Sequence, residues 1–183
     1  NFNTSNRTAP MPDPPRLAKL VAEEFGCSRT EAEQFIEGGW ITVDGVLTEE
    51  AGARVTAAQA VVLLPDAVPA PLDPVTILLH KPAGYESRDA AHASGDAGVK
   101  TAAQLLTAAN HAPGDRSGIR PLQKHFSSSE LVTPLATAAS GLVVFSGDWR
   151  VARKLREDAR VLEHEVVVEV SGDIKPGGLE RLN

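Results

Sequence analysis

Three groups of side chains in this 183-residue chain have types and spacing that suit the binding of an anion. Arg16 and Lys19 stand three residues apart, and Ser28 and Arg29 follow shortly after. Basic side chains near a helix start, with its free N–H groups, make a phosphate site. Arg150, Arg153, Lys154, Arg156 and Arg160 form the most basic stretch and are spaced for a single helix. Lys81 lies in Lys81-Pro82-Ala83-Gly84, directly after an apolar run. Each group also has a plainer explanation: a solvated helix face with an ordinary Ser cap, a helix paired with Glu157 and Asp158, and a turn residue fixed by Pro82 and Gly84. Metal chemistry is not indicated. Cys27 is the only cysteine, and His80, His92, His111, His125 and His164 are scattered, with no pair at helical ligand spacing.

The elements that must position these groups are legible in the hydrophobic pattern. Apolar content of 42% and charged content of 23% suit a globular chain. The longest apolar runs, residues 61–64 and 142–145, are strand-sized and far below the roughly 18–20 residues of a membrane span. The first residues lack the basic-then-apolar layout of a signal peptide, so a cytoplasmic protein is expected. Residues 1–15 carry Pro10, Pro12, Pro14 and Pro15 and read as a disordered leader. Residues 16–25 place Leu17, Leu20, Val21 and Phe25 on one helical face, ending at Gly26. Ser28-Arg29-Thr30-Glu31 is a capping box for a second helix, which stops at Gly38-Gly39. Asp44-Gly45 between Trp40-Ile41-Thr42-Val43 and Val46-Leu47 predicts a hairpin, and residues 61–64 a further strand.

Residues 65–74 hold four prolines and read as a semi-rigid linker. Beyond it, residues 75–79 read as a short buried strand, 140–145 as a strand, 101–109 as a short helix, 148–160 as a basic amphipathic helix, and the alternating 161–170 as a strand. Residues 86–99 and 112–120 read as loops. Trp40 and Trp149 are expected as core anchors, and Cys27 as a small filler. The net charge of −6 is uneven. Residues 16–64 hold four basic groups against eight acidic ones, and 75–183 hold thirteen of each.

The order of parts resembles a known family. RLAKLVAEEFGCSRTEAEQFIEGGWITVDGVL is similar to the small RNA-binding domain of ribosomal protein S-four. LLHKPAGYES, LVTPLATAASGLVVFSGDWRVARKL and VLEHEVVVEVSG resemble, in order, three motifs of the RsuA/RluF-type RNA pseudouridine synthases. The resemblance implies an α+β fold: a helix-helix-hairpin RNA-binding module at 16–64, then a mixed, mainly antiparallel sheet with flanking helices at 75–183. It implies uridine isomerisation in structured RNA, ribosomal RNA in particular, on a flipped-out base, with no cofactor or metal. It also implies phosphate contacts by Arg16, Lys19, Ser28 and Arg29, with Lys81, Arg150, Arg153 and Lys154 as further RNA-binding candidates.

The motifs depart from the family at the residues that do the chemistry. The family's catalytic Asp falls on Ala136 and its Arg on Pro134; Ala138 takes a second acidic position. Its Lys and Tyr fall on His164 and Val166, and its closing Arg-rich motif has no counterpart before Asn183, so the synthase-like part reads as incomplete. A methyl group can neither attack nor exchange a proton, and loss of a nucleophile elsewhere costs on the order of 10⁴–10⁶-fold in rate. The expectation is an RNA-binding member with impaired catalysis, a pseudoenzyme. The alternatives are an active synthase using a displaced carboxylate, with Glu130 and Asp148 nearby, and a protein-interaction scaffold indifferent to RNA. The oligomeric state is left open.

Overall fold

The computed structural model describes residues 13–88, 98–173 and 175–181. The leader up to residue 12 and most of the loop expected at 86–99, with His92, lie outside the described residues.

The first half opens with two nine-residue helices, α1 (Leu17–Phe25) and α2 (Arg29–Glu37). No side chain caps α1. Instead the Leu17 and Ala18 N–H groups donate to the Ala53 and Ala51 carbonyls at 2.8 and 3.1 Å, so a later segment satisfies its open end. Gly26, at φ 65°, closes it in the left-handed conformation that glycine adopts without strain. The predicted capping box is formed. The Glu31 N–H donates to Ser28 Oγ at 3.2 Å, and the Ser28 N–H donates to Glu31 Oε2 at 2.8 Å.

The hairpin also forms: β1 (Ile41–Val43) and β2 (Val46–Leu47) join through Asp44 and Gly45 at φ 51° and 79°. Two successive positive φ values give the turn whose twist matches paired strands. β3 (Val61–Leu63) pairs with the other edge of β1, giving the order β2-β1-β3. Leu17, Val21, Phe35, Ile36, Ile41 and Val55 are buried together, with Trp40 packed against them as expected. Each such large aliphatic group contributes about 1.5–3 kcal/mol on burial.

The second half is built on β4 (Thr76–Lys81), β5 (Glu130–Thr133) and β6 (Gly141–Ser146), in the order β4-β6-β5. All named strand pairs are antiparallel, and the one parallel contact among the described residues is an isolated bridge between Glu86 and Thr101. On one face Ile77, Leu79, Val143 and Phe145 pack against Ala102, Leu106, Phe126 and Leu135. On the other, Val132 and Val144 meet Ala152 and Leu155 of α4 (Trp149–Glu157). The fold is thus α+β, with helices beside small antiparallel sheets.

A short helix, α3 (Gln123–Ser128), and strand β5 were not read from the sequence. α3 spans six residues, too few to show a period, and its end is completed from the first half. The Glu49 carboxylate accepts the Gln123 N–H at 2.6 Å. Arg120 Nη2 donates to the Gly39 carbonyl at 3.0 Å, and Lys124 Nζ pairs with Glu37 at 3.0 Å, adding two further ties.

Three expectations are corrected. The helix expected at 101–109 is two 3₁₀ turns, Ala102–Leu105 and Ala108–Asn110. Residues 161–170 form no strand, and Val166 and Val167 are 76% and 89% exposed. Alternation makes a strand only where a neighbour supplies hydrogen bonds and an apolar face; neither edge strand of the β4-β6-β5 sheet pairs with this segment. Trp149 is 67% exposed rather than a core anchor. β6 ends at Ser146, so α4 reaches the sheet only one turn later, through Ala152 and Leu155.

Candidate functional site

The loop carrying Pro134 and Ala136 is held by the loop that leaves β4. Lys81, the last residue of β4, is fully buried. Its Nζ donates to the carbonyls of Ala139 at 2.7 Å, Tyr85 at 2.9 Å and Pro82 at 3.1 Å, with a longer contact to Thr137 at 3.4 Å. An ammonium taken out of water is tolerated only when its donors are satisfied, and here main-chain carbonyls satisfy them. Lys81, expected among the RNA-binding candidates, is thus turned inward, where its ammonium clamps two loops together.

Gly84, at φ 86°, turns the chain back, and its N–H donates to the Thr137 carbonyl at 2.7 Å. Two residues on, Glu86 is anchored through its main chain, its N–H on the Lys100 carbonyl and its carbonyl on the Ala102 N–H, both at 2.8 Å. The Ser87 hydroxyl donates to the Leu135 carbonyl at 2.7 Å and accepts from the Leu135 N–H at 2.9 Å. These tethers shape an open cleft of about 380 Å³ lined by Glu86, Ser87, Arg88 and residues 134–137.

Pro134 and Ala136 are therefore brought together at one wall, both exposed. That wall offers no ionisable side chain. The segment beside it does: Glu86 Oε2 lies 2.7 Å from Arg88 Nε, with the two side chains 34% and 46% exposed. Sequence reasoning missed this pair because it lies in a segment of small polar residues with no periodicity, and its partner wall is 48 residues away. Glu130 and Asp148, the nearby acids considered from the sequence, are occupied elsewhere, with Arg156 at 3.0 Å and Arg150 at 3.2 Å. His164 and Val166 do not line the cleft; both lie in the exposed segment at 161–170.

The remaining candidates are surface groups. Arg16, Lys19, Ser28 and Arg29 are all exposed. Lys19 pairs with Glu23 at 3.7 Å and Arg29 with Glu33 at 3.1 Å, one helical turn away in each case. The Ser28 oxygen serves the cap, and the Ser28 N–H holds the Glu31 carboxyl below its ordinary pKa.

On α4, Arg150 pairs with Asp148, Arg153 with Glu157 at 2.7 Å, and Lys154 with Asp158 at 2.8 Å. The hydrogen bond and charge of Asp158 raise the Lys154 pKa, and Asp148 does the same for Arg150. Exposed pairs such as Arg153–Glu157 contribute little to stability, whereas Asp148 is 18% exposed and accepts two bonds from the Arg150 guanidinium. Among the described residues no group of three or more His, Cys, Asp or Glu side chains is placed to hold a metal ion. No described helix is long and apolar enough to cross a membrane.

Residues 15–61 match the family model of the S4 domain. Over 163 residues the chain is 30% identical to the putative ribosomal large subunit pseudouridine synthase SVR1, chloroplastic, of Arabidopsis thaliana, covering 88% of this chain and 38% of that protein. Over 169 residues it is 25% identical to an uncharacterized RNA pseudouridine synthase of Aquifex aeolicus (strain VF5), covering 91% and 62%. The chain thus spans less than two thirds of the length of either relative. A crystal structure of a pseudouridylate synthase matches 76% of this chain and 51% of its own, at 16% identity and a TM-score of 0.30, too loose a match to bear on the fold. With an S4 domain at residues 15–61 and sequence relatives named as RNA pseudouridine synthases along almost its whole length, the chain is similar to RNA pseudouridine synthases of the RsuA type.

Proposed function

We propose that this protein binds structured RNA, ribosomal RNA in particular, in the cytoplasm, and that it isomerises uridine poorly or not at all. The division at 16–64 and 75–183 is part of the reading: the first unit docks on RNA through Arg16, Lys19, Ser28 and Arg29, and the second presents the cleft. Separate apolar cores in the two halves support that division.

One observation carries the catalytic half of the reading. The wall at 134–137 offers the cleft a proline ring, a leucine, a methyl and a threonine hydroxyl. None of these supplies a carboxylate to attack the sugar or the base.

A second reading is favoured by the Glu86–Arg88 pair in the same cleft, a carboxylate with a cation against it. In that reading Glu86 is a displaced catalytic acid and the protein is an active synthase. Release of tritium from 5-tritiated uridine in ribosomal RNA separates the two. No release with protein in excess of RNA supports the impaired reading. Release that Glu86→Gln abolishes supports the second. The RNA-binding half is tested by titrating ribosomal RNA fragments at low and high salt. A salt-dependent affinity is expected, and a flat titration at low salt overturns it in favour of a scaffold indifferent to RNA.

A further inference from the structure

We propose that Trp149 and the guanidinium groups beside it on α4 form a stacking platform for an unpaired stretch of RNA. One base lies on the indole, and the flanking phosphates are taken by Arg150 and Arg153. The inference rests on the RNA-binding reading above and adds to it a second contact surface and the form of RNA it takes.

Trp149 is 67% exposed, an unusual position for the largest apolar side chain, which is highly buried on average. Nothing in the packing of α4 requires an indole there, since Ala152 and Leu155 make the contact with the sheet. Helical geometry sets what surrounds it. Arg153 follows four residues later and Arg156 seven, on the same side of the helix, with successive turns about 5.4 Å apart. Arg150 is adjacent in sequence. A π face flanked by guanidinium groups is the arrangement that holds single-stranded nucleic acid without reading its sequence.

Charge selects the occupant. Residues 148–160 hold five basic groups against three acidic ones, in a chain of net charge −6. This surface is therefore opposite in sign to the molecule as a whole, which suits an anionic partner. Exposed acids hold two of the cations, Glu157 on Arg153 and Glu130 on Arg156. Lys154 pairs with the half-buried Asp158 and Arg150 with Asp148, which is 18% exposed; Arg156 also donates to the Leu131 carbonyl at 3.2 Å. The exposed pairs are weak, and a phosphate accepts two parallel bonds from a guanidinium.

The test uses the full chain and two labelled probes, a short oligouridylate and a blunt RNA duplex of equal length. Trp149→Ala is expected to weaken oligouridylate binding on the order of tenfold, the effect of losing one base–aromatic stack. Duplex affinity is expected to stay within about twofold, and Trp149→Phe to restore part of the loss. Unchanged oligouridylate binding in Trp149→Ala overturns the inference, as does an equal loss on both probes. Loss of self-association with unchanged oligouridylate binding assigns the surface to a second copy and also overturns it. If the parent chain binds ribosomal RNA fragments but not oligouridylate, the platform alone fails. If it binds neither, the RNA-binding reading fails and the platform with it.

Discussion

The Ser87 hydroxyl donates to the Leu135 carbonyl at 2.7 Å and accepts from the Leu135 N–H at 2.9 Å, so one side chain staples two loops 48 residues apart in sequence. The staple sets the distance between the wall that carries Glu86 and Arg88 and the wall that carries Ala136. With the clamp of Lys81 behind it, the shape of the cleft depends on a few polar contacts together with the packing of Leu135 on the apolar core.

Ser87→Ala removes both bonds and leaves the Leu135 amide without a partner in a half-buried position. A loss of about 1–2 kcal/mol is expected from two such bonds, measured as a lower urea midpoint with an unchanged slope. Limited proteolysis should also find new cleavage near residues 134–139, and an unchanged cleavage pattern counts against the staple.

Lys81→Met keeps the length and apolar stem of the side chain but leaves the carbonyls of Tyr85 and Ala139 unpaired. Loss of a buried, charged donor serving several acceptors should cost about 3 kcal/mol. The same substitution made at a solvated lysine is nearly neutral, so urea denaturation of this single variant decides whether the ammonium is structural. If stability is unchanged while RNA binding falls, Lys81 faces RNA after all.

His125 is 8% exposed, and burial holds its pKa below the ordinary value near 6.5, against the opposing effects of the Arg120 carbonyl and the Glu49 charge. The unfolded chain therefore takes up the proton first as the pH falls. Stability from this site is full above about 6.5 and declines as the pH drops through and below that value. Thermal unfolding between pH 7.5 and 5 should show the decline, and His125→Gln, which cannot titrate, should flatten it. A slope that is the same in both proteins removes His125 as its source.

Arg29→Ala removes one cation from the start of α2 without touching the cap, because Ser28 and Glu31 make those bonds themselves. If Arg29 contacts a phosphate, RNA affinity falls for all sequences alike, and the slope of log affinity against log salt shrinks by about 1. An unchanged slope leaves Arg29 with Glu33, as a solvated helix pair.

Short-range chemistry in this protein was legible from the residues alone. The Ser28–Glu31 box, the αL glycine at Gly26 and the Asp44-Gly45 turn depend on neighbours a few positions away, so the local sequence determines them. So was the absence of a carboxylate at residues 134–137, which is a matter of residue type. Tertiary structure decided whatever depends on distant partners. It turned Lys81 inward onto carbonyls from two loops, set Glu86 and Arg88 in the cleft with Ala136, and capped α3 with Glu49. It left Trp149 in solvent and the alternating residues 161–170 unpaired. A strand, a buried charge and a cleft each need a second piece of chain to supply hydrogen bonds or exclude water, and no local pattern records where that piece will come from.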